Sequence, residues 1–412
     1  MNRLYIHTFG CKVNLSESEN FKLESNKIGL HVVDNIEDAD IVLINSCAVT
    51  ELAEKKCNDF IKKVKNKYNP KIVITGCYAS IIKDEIKNYI DVVIDNESKE
   101  SLIENLKKHL NINLVSTQNQ KLKLKTRAFL KIQDGCDAFC TYCIIPFLRG
   151  KPRSKPSEQI LKEIDSLIEK NYKEIVLVGI HIGKYGIDLN SNLKELLKII
   201  TKRYTNYNIR FRLSSLDVDE IDDELVSLIA NSKGLICNHL HIALQNGSNR
   251  ILKLMKRRHT AEEFIEICKK VKDSIKDCTI GTDVIVGFPT ETENDFQDTI
   301  DTLLDAKVDY LHVFNYSRRE GTQASKMKNQ IPDSIKKERA KKLRKLGEML
   351  KKDSELKMIG KKAKILLESN GFGHLSNYHY VKVVNENLQS NNFYEIKILG
   401  RKNNRLIGGV IE

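Results

Sequence analysis

The chain begins with short apolar runs that alternate with longer amphipathic stretches. "LYIHTFGC", "ADIVLINSC" and "PKIVITGC" read as strands. Between them a helix is predicted from about Glu51 to Lys67, where Ala53, Cys57, Phe60 and Val64 recur at helical spacing. The pattern, which extends to about residue 125, predicts a small α/β unit with a mainly parallel sheet. The polar, basic segment "NINLVSTQNQKLKLK", Asn111 to Lys125, reads as a linker. Six further strand-like runs follow: "AFLKIQDG", "EIVLVGIHIG", "IRFRLSSLD", "HLHIALQNG", "CTIGTDVIVGFP" and "YLHVFNYS". Helix-like stretches separate them, including Glu262 to Lys276 with Phe264, Cys268, Val271 and Ile275 on one face. Repeated βα units of this kind predict a barrel or partial barrel, with chemistry at the C-terminal strand ends. After Pro332 a basic helix runs to about Lys357 with Leu343, Leu346 and Leu350 as its stripe. The closing segment alternates apolar and polar residues, as in "YHYVKVV" and "FYEIKILG", and predicts a small β-barrel of a kind that often holds nucleic acid.

A chain of 412 residues is expected to build more than one core. No apolar run approaches the ~20 residues of a membrane-spanning helix. The start, "MNRLYIHTFGC", lacks the residue order of a signal peptide, so a cytoplasmic location and no membrane partner are expected. In a reducing compartment, cysteines serve more often as ligands, catalysts or core residues than as disulfides. The net charge of +13 favours a polyanionic partner, nucleic acid first. Lysine spread over every solvated face is the competing reading, and charge alone does not separate the two.

Three of the ten cysteines crowd into "GCDAFCTYC", on a loop that follows a predicted strand. Structural zinc normally takes four ligands, and no fourth Cys or His lies near Cys136, Cys140 and Cys143. Three thiolates suit a [4Fe–4S] cluster with one iron left open; a zinc or redox cluster is the competing reading. Cys11, Cys47 and Cys77 each end a predicted N-terminal strand. Strand ends of a parallel sheet share one edge, so the three would converge. Burial of each as a small hydrophobe weighs about equally on the residues alone. Cys57 and Cys268 lie on apolar helix faces and read as core residues, and Cys237 and Cys278 have no assigned role.

The C-x3-C-x2-C spacing, with Tyr142 just before the last cysteine, resembles the hallmark of radical S-adenosylmethionine (SAM) enzymes. That resemblance implies that the open iron binds the amino and carboxylate groups of SAM, and that an electron then yields a 5′-deoxyadenosyl radical. "TFGCKVNLSESE", "NSCAVTELAEKK", "TGCY", "FLKIQDGCDAFCTYCIIPFLRGKPRS", "HIALQNGSNRILKLMKRRHT", "GTDVIVGFPTETENDF" and "FNYSRREGTQAS" resemble the methylthiotransferase branch over nearly the whole chain. The resemblance implies two [4Fe–4S] clusters, the auxiliary one on Cys11, Cys47 and Cys77 and the SAM-cleaving one on Cys136, Cys140 and Cys143. SAM would be both methyl donor and radical source. The implied organisation is an N-terminal methylthiotransferase domain over 1–112, a linker over 113–126, a radical SAM partial (βα)6 barrel with its basic helix over 127–357, and a TRAM-like barrel over 358–412.

Three substrate branches compete: isopentenyl-adenosine in tRNA, threonylcarbamoyl-adenosine in tRNA, and an aspartate of a ribosomal protein. "NSCAVT", "GCKVN" and "LVGIHIGKYGIDL" resemble the threonylcarbamoyl branch, which implies the tRNA anticodon stem-loop as partner and an electron donor such as flavodoxin or ferredoxin. A non-catalytic, metal-stabilised RNA-binding protein is the reading from another class. Ser46 and Asn246 depart from the commoner Thr and Ser, which puts local contacts in question. The terminal barrel is short, but Asn377, Tyr378 and Lys382 match its usual run; the helix from Lys336 to Lys352 either adds RNA grip or is a solvated face. For SAM the candidates are Tyr142 against adenine, Ser215 and Gln245 at strand ends, and Gly287 for close approach of cofactor to backbone. Arg149 and Arg153 would meet RNA phosphate or the SAM carboxylate, or cap a helix.

Overall fold

The computed structural model describes residues 3–27, 29–110, 126–385 and 387–411. The expected linker, 113–126, lies outside the described residues except for its last position. Near the N-terminus a parallel sheet runs, in spatial order, through His31–Val32, Arg3–Thr8, Ile41–Ser46, Lys71–Gly76 and Val92–Val93. Every residue of Ile41–Ser46 is buried, because helices cover both faces of this central strand. Successive side chains point to opposite faces. Ile41 and Leu43 therefore pack with Phe21 and Leu106, while Val42 and Ile44 pack with Ile61 and Val64. The latter belong to the helix Glu51–Tyr68, which starts where Thr50 accepts the Ala53 N–H at 3.2 Å and stops at Asn69 in the left-handed region.

All six strands predicted for the central region form. Arg127–Lys131, Glu174–Val178 and Arg210–Leu213 pair in parallel, as do His239–His241, Thr279–Val286 and Tyr310–Asn315. Bridges Phe211–Ile236 and Leu216–Ile242 join the two groups into one curved sheet. Among the described residues no pairing joins the first strand to the last, so the barrel is open. Helix Lys12–Lys27 from the N-terminal unit covers the free edge. There Ser16 Oγ donates to the Phe129 carbonyl at 2.8 Å and accepts the Lys131 N–H at 3.1 Å, satisfying two edge groups that would otherwise be open to another strand. The helix expected from Glu262 spans Ala261–Ser274 and begins with a Thr260–Glu263 capping box.

The long helix Asp333–Leu356 lies on the last strand, with Ala340 and Leu343 inside the core and Leu346 and Leu350 at its border. The final region is a closed barrel of Lys362–Leu367, Phe372–Leu375, Tyr380–Val383, Arg405–Val410 and Phe393–Lys402. Its alternation puts Ile365, Leu375, Val381, Val383, Ile396, Ile398 and Leu406 inside. The turn 374–378 docks on the central sheet: Arg210 donates to the His374 carbonyl and Arg212 to that of Ser376, both at 2.9 Å. Asn377 is buried and donates to the Asp277 carbonyl at 3.1 Å, and Tyr378 lies 4.9 Å from the Arg212 guanidinium. These two residues, matched in sequence to the usual run of the TRAM-like barrel, seat that barrel on the central sheet. No helix among the described residues is long and apolar enough to cross a membrane.

The docking rests on Glu174, fully buried, which takes Arg210 Nε at 2.6 Å and Arg212 Nε at 2.9 Å. Burial alone would raise its carboxyl, but Arg212 and Arg210 hold it well below the usual range. A depressed folded-state value stabilises the fold above the ordinary pKa of 4.5, and that stabilisation fades as pH falls below it. Glu174→Gln leaves two guanidinium groups buried without a counter-charge, so we predict a loss of about 3–5 kcal/mol. Denaturant unfolding measures the loss, and limited proteolysis is expected to release the terminal barrel first.

Candidate functional site

Cys11, Cys47 and Cys77 sit just beyond the C-terminal ends of three adjacent strands. Their approach depends on Gly10, with φ +101°, where a Cβ would lie 2.7 Å from Cys47 Cβ. Asn14 fastens the turn by donating to the Phe9 and Ser46 carbonyls at 2.8 and 2.9 Å. Burial pushes the Cys47 thiol up to about 11, and the nearby Cys77 and Cys11 add to the rise. Three crowded thiolates need a cation among them before all can ionise together.

Cys136, Cys140 and Cys143 lie on the loop after the first barrel strand. Gly135, at φ +75°, allows the sharp entry; a Cβ there would fall 2.1 Å from the Lys151 carbonyl oxygen. The Cys136 N–H then donates to Gly150 at 2.9 Å, and Thr141 Oγ1 donates to Leu254 at 2.8 Å. Two sulfurs have nitrogen neighbours held by carboxylates. His181 Nδ1 is 3.4 Å from Cys136 Sγ, while its Nε2 faces Glu220 at 2.5 Å and Asp217 at 3.5 Å. Arg257 Nη1 donates toward Cys140 Sγ at 3.6 Å and Nη2 to Asp217 at 2.6 Å. Burial disfavours the His181 cation, but the bonds to Cys136 and Glu220 prevail and raise it to about 10. Such outer partners orient thiolate ligands and tune a centre bound to them.

Between the N-terminal sheet and the barrel lies a cavity of about 610 Å³ lined by all six of these cysteines. Tyr142 of the cluster loop shares that lining, and so do Ser215 and Gln245, placed there by their strand ends. A second cavity of about 220 Å³ shares Tyr142, Cys143, Gln245 and Phe314 and adds Ile285 and Tyr316. Gly287 is elsewhere: its N–H bonds Glu291 at 2.6 Å, and a Cβ would meet Lys336 Cγ at 2.3 Å. The close approach that the structure shows at Gly287 is to Lys336 of the long helix. Arg153 is exposed and donates to the Arg149 carbonyl at 3.0 Å, which makes it a helix cap. Arg149 turns inward, its side chain 1% exposed. It reaches Cys77 Sγ at 3.2 Å, Glu17 at 3.1 Å, Asp134 at 2.9 Å and Asn14 Oδ1 at 2.8 Å. Cys57 and Cys268 are fully buried in apolar cores, as their helix faces predict. Sequence reasoning missed His181, Asp217 and Asp283, although each stands on or just after a barrel strand; nothing local marks Arg257.

The donor sets discriminate between metals. A Zn–S bond near 2.3 Å brings ligand sulfurs to about 3.8 Å of one another. Among the described residues, the ligand-atom groups found within 4.8 Å are His241–Asp283–His312 and His181–Asp217–Glu220, neither with a cysteine. Neither cysteine triad is among them, so its sulfurs stand wider apart than a single ion requires, and three thiolates at that wider spacing would suit a [4Fe–4S] cubane. Arg149→Gln removes the cation beside Cys77. We predict that anaerobic iron counting then falls from about eight toward about four atoms per chain, the loss coming from the N-terminal set.

The radical SAM superfamily model matches residues 130–303, and that of uncharacterized protein family UPF0004 matches residues 3–95. A threonylcarbamoyladenosine tRNA methylthiotransferase MtaB of Thermotoga maritima is 39% identical over 93% of this chain and 91% of its own length. A Rickettsia prowazekii protein of the same name is 40% identical over 92% and 91%. A tRNA-2-methylthio-N(6)-dimethylallyladenosine synthase of Thermoanaerobacter pseudethanolicus is 35% identical over 88% and 82%. The radical SAM methyltransferase TsrM from Kitasatospora setae shares the fold, with a TM-score of 0.58 at 11% identity over 76% of this chain and 73% of its own. With relatives this similar along most of both sequences, the chain belongs to the radical SAM methylthiotransferases, enzymes that work with two [4Fe–4S] clusters and SAM.

Proposed function

We propose that this enzyme converts N6-threonylcarbamoyladenosine, beside the anticodon of tRNA, to its 2-methylthio form. The observation that carries the reading is the single cavity lined by both cysteine triads. Cys136, Cys140 and Cys143 would hold the SAM-cleaving cluster, and Cys11, Cys47 and Cys77 the auxiliary one. When bound, these groups supply a radical able to take hydrogen from an unreactive ring carbon, and a site for the sulfur to be transferred. The chain's own residues do the positioning. Tyr142, Ile285 and Phe314 form an apolar annex suited to the adenine of SAM, with Ser215 and Gln245 at the neighbouring strand ends.

The cavity's polar side disfavours the isopentenyl branch. Lys12, Asp283, His241 and His312 line it, and a hydrocarbon arm would desolvate Lys12, unpaired among the described residues, and the paired Asp283, His241 and His312 with no polar group in return. The MtaB relatives take their name from the threonylcarbamoyl substrate. A tRNA partner is further supported by the terminal barrel. Phe372 stacks on Tyr380 at 5.4 Å, with Arg405 5.2 Å and Lys382 5.8 Å from its ring. Such an array suits bases and phosphates better than a ribosomal-protein loop. The anticodon stem-loop would cross from this face to the cavity. The electron donor, of the flavodoxin or ferredoxin kind, would approach the cluster loop where Phe139 and Phe147 are exposed. Such an enzyme works in the cytoplasm, where its tRNA is.

The test is the nucleoside profile of tRNA from a strain lacking the gene. The 2-methylthio threonylcarbamoyl nucleoside should vanish and its unthiolated precursor accumulate; persistence of the thiolated form refutes the assignment. With purified protein, Cys11→Ala is predicted to keep reductant-driven SAM cleavage and lose thiolation. Loss of both would overturn the division of labour between the two cysteine sets.

A further inference from the structure

We propose that Lys12 and His312 form the subsite for the carboxylate of the substrate's N6 arm, with Asp283 taking a hydrogen from its N–H or hydroxyl. The inference rests on the threonylcarbamoyl reading above and names the groups that read that arm. Lys12 follows Cys11 and lines the cavity, yet it has no hydrogen bond or ion pair among the described residues. Its side chain is half-buried, and charged groups of the barrel, Arg212 and Asp283 foremost, act on it across the cavity. A cation held in a cleft without a counter-ion is a ready anion site.

The second donor stands across the cleft. His312 Nδ1 lies 3.1 Å from Asp283 Oδ1, its ring stacks on His241 at 5.1 Å, and Nε2 has no protein partner among the described residues. His241 is buried, with Nε2 3.0 Å from the same Asp283 oxygen, so imidazoles on both sides hold that carboxylate in place. The arrangement offers an N–H donor on each side of the cavity and a hydrogen-bond acceptor on one of them. A ureido-linked amino acid needs both; an isopentenyl group needs neither. The location also suits the chemistry. The arm leaves the adenine ring at C6, and C2 is separated from C6 only by N1. Anchoring the arm next to Cys11 therefore brings the C2–H edge toward the N-terminal cysteine set.

The test compares two anticodon stem-loop RNAs, one carrying the natural acid and one its neutral carboxamide of the same shape. The reconstituted wild-type enzyme should favour the acid by about tenfold or more in kcat/KM, as expected for one charge-assisted hydrogen bond. Lys12→Met should remove most of that preference by slowing the acid alone, and Lys12→Arg should restore it. His312→Gln, on an exposed position, should reduce it in part and keeps the test open if Lys12→Met loses iron. If Lys12→Met slows acid and amide equally, the subsite lies elsewhere. If it raises the KM for SAM instead, Lys12 serves the SAM carboxylate and the proposal falls. A wild-type enzyme that thiolates neither RNA would refute the substrate reading itself, a result distinct from both.

Discussion

Everything at this site depends on one buried guanidinium. Arg149 leaves the cluster loop of the barrel and enters the N-terminal unit, where it touches Cys77, Glu17, Asp134 and Asn14. Lys99 also pairs with Glu17, and Lys131 with both carboxylates. Three cations thus face two carboxylates, and a Cys77 thiolate would complete the neutral set. Burial, which should raise the Glu17 carboxyl, loses to Lys99, Arg149 and Lys131, and its value lies well below the ordinary range. A buried network of this kind is costly to break and fixes one relative placement of its parts. Here that placement brings two sets of three sulfurs to one cavity.

The same economy of charge continues on the barrel side. Asp217 is shared between Arg257 and His181, and each of these approaches a different sulfur of the cluster loop. Glu220, close under Gly183, holds the far nitrogen of His181. Negative thiolates therefore meet cationic N–H groups that cannot swing away. His181, Glu220 and Arg257 are themselves largely buried, so each such contact counts for more than it would at the surface.

Much of this was legible from the sequence because parallel-strand architecture is local in its rules. Apolar runs announce strands, and strand ends announce where polar residues converge; Cys11, Cys47, Cys77, Ser215 and Gln245 all follow from that, while Tyr142 was marked by its place in the cysteine motif. Other residues depended on which surfaces meet. Gly287 read as room for a cofactor, and a helix fifty residues later supplies Lys336 to that space. Asn377 and Tyr378 carried the usual run of the TRAM-like barrel, and they fill the seat between barrel and sheet. Arg149 offered three local readings, and its true partners lie up to 135 positions away, where no periodicity reports them. Lys12 was one letter in a short motif until the opposite wall gave it an environment.

Ser16 gives the seam a further meaning. One hydroxyl, serving both Phe129 and Lys131, lets a helix of the neighbouring unit take the place of a missing strand. The barrel has no closed rim of its own, so its wall is completed by the very unit that carries the other sulfurs. Groups held by either half therefore face one shared cavity, and shortening the helix Lys12–Lys27 would both bare the barrel's edge and remove part of that cavity's wall.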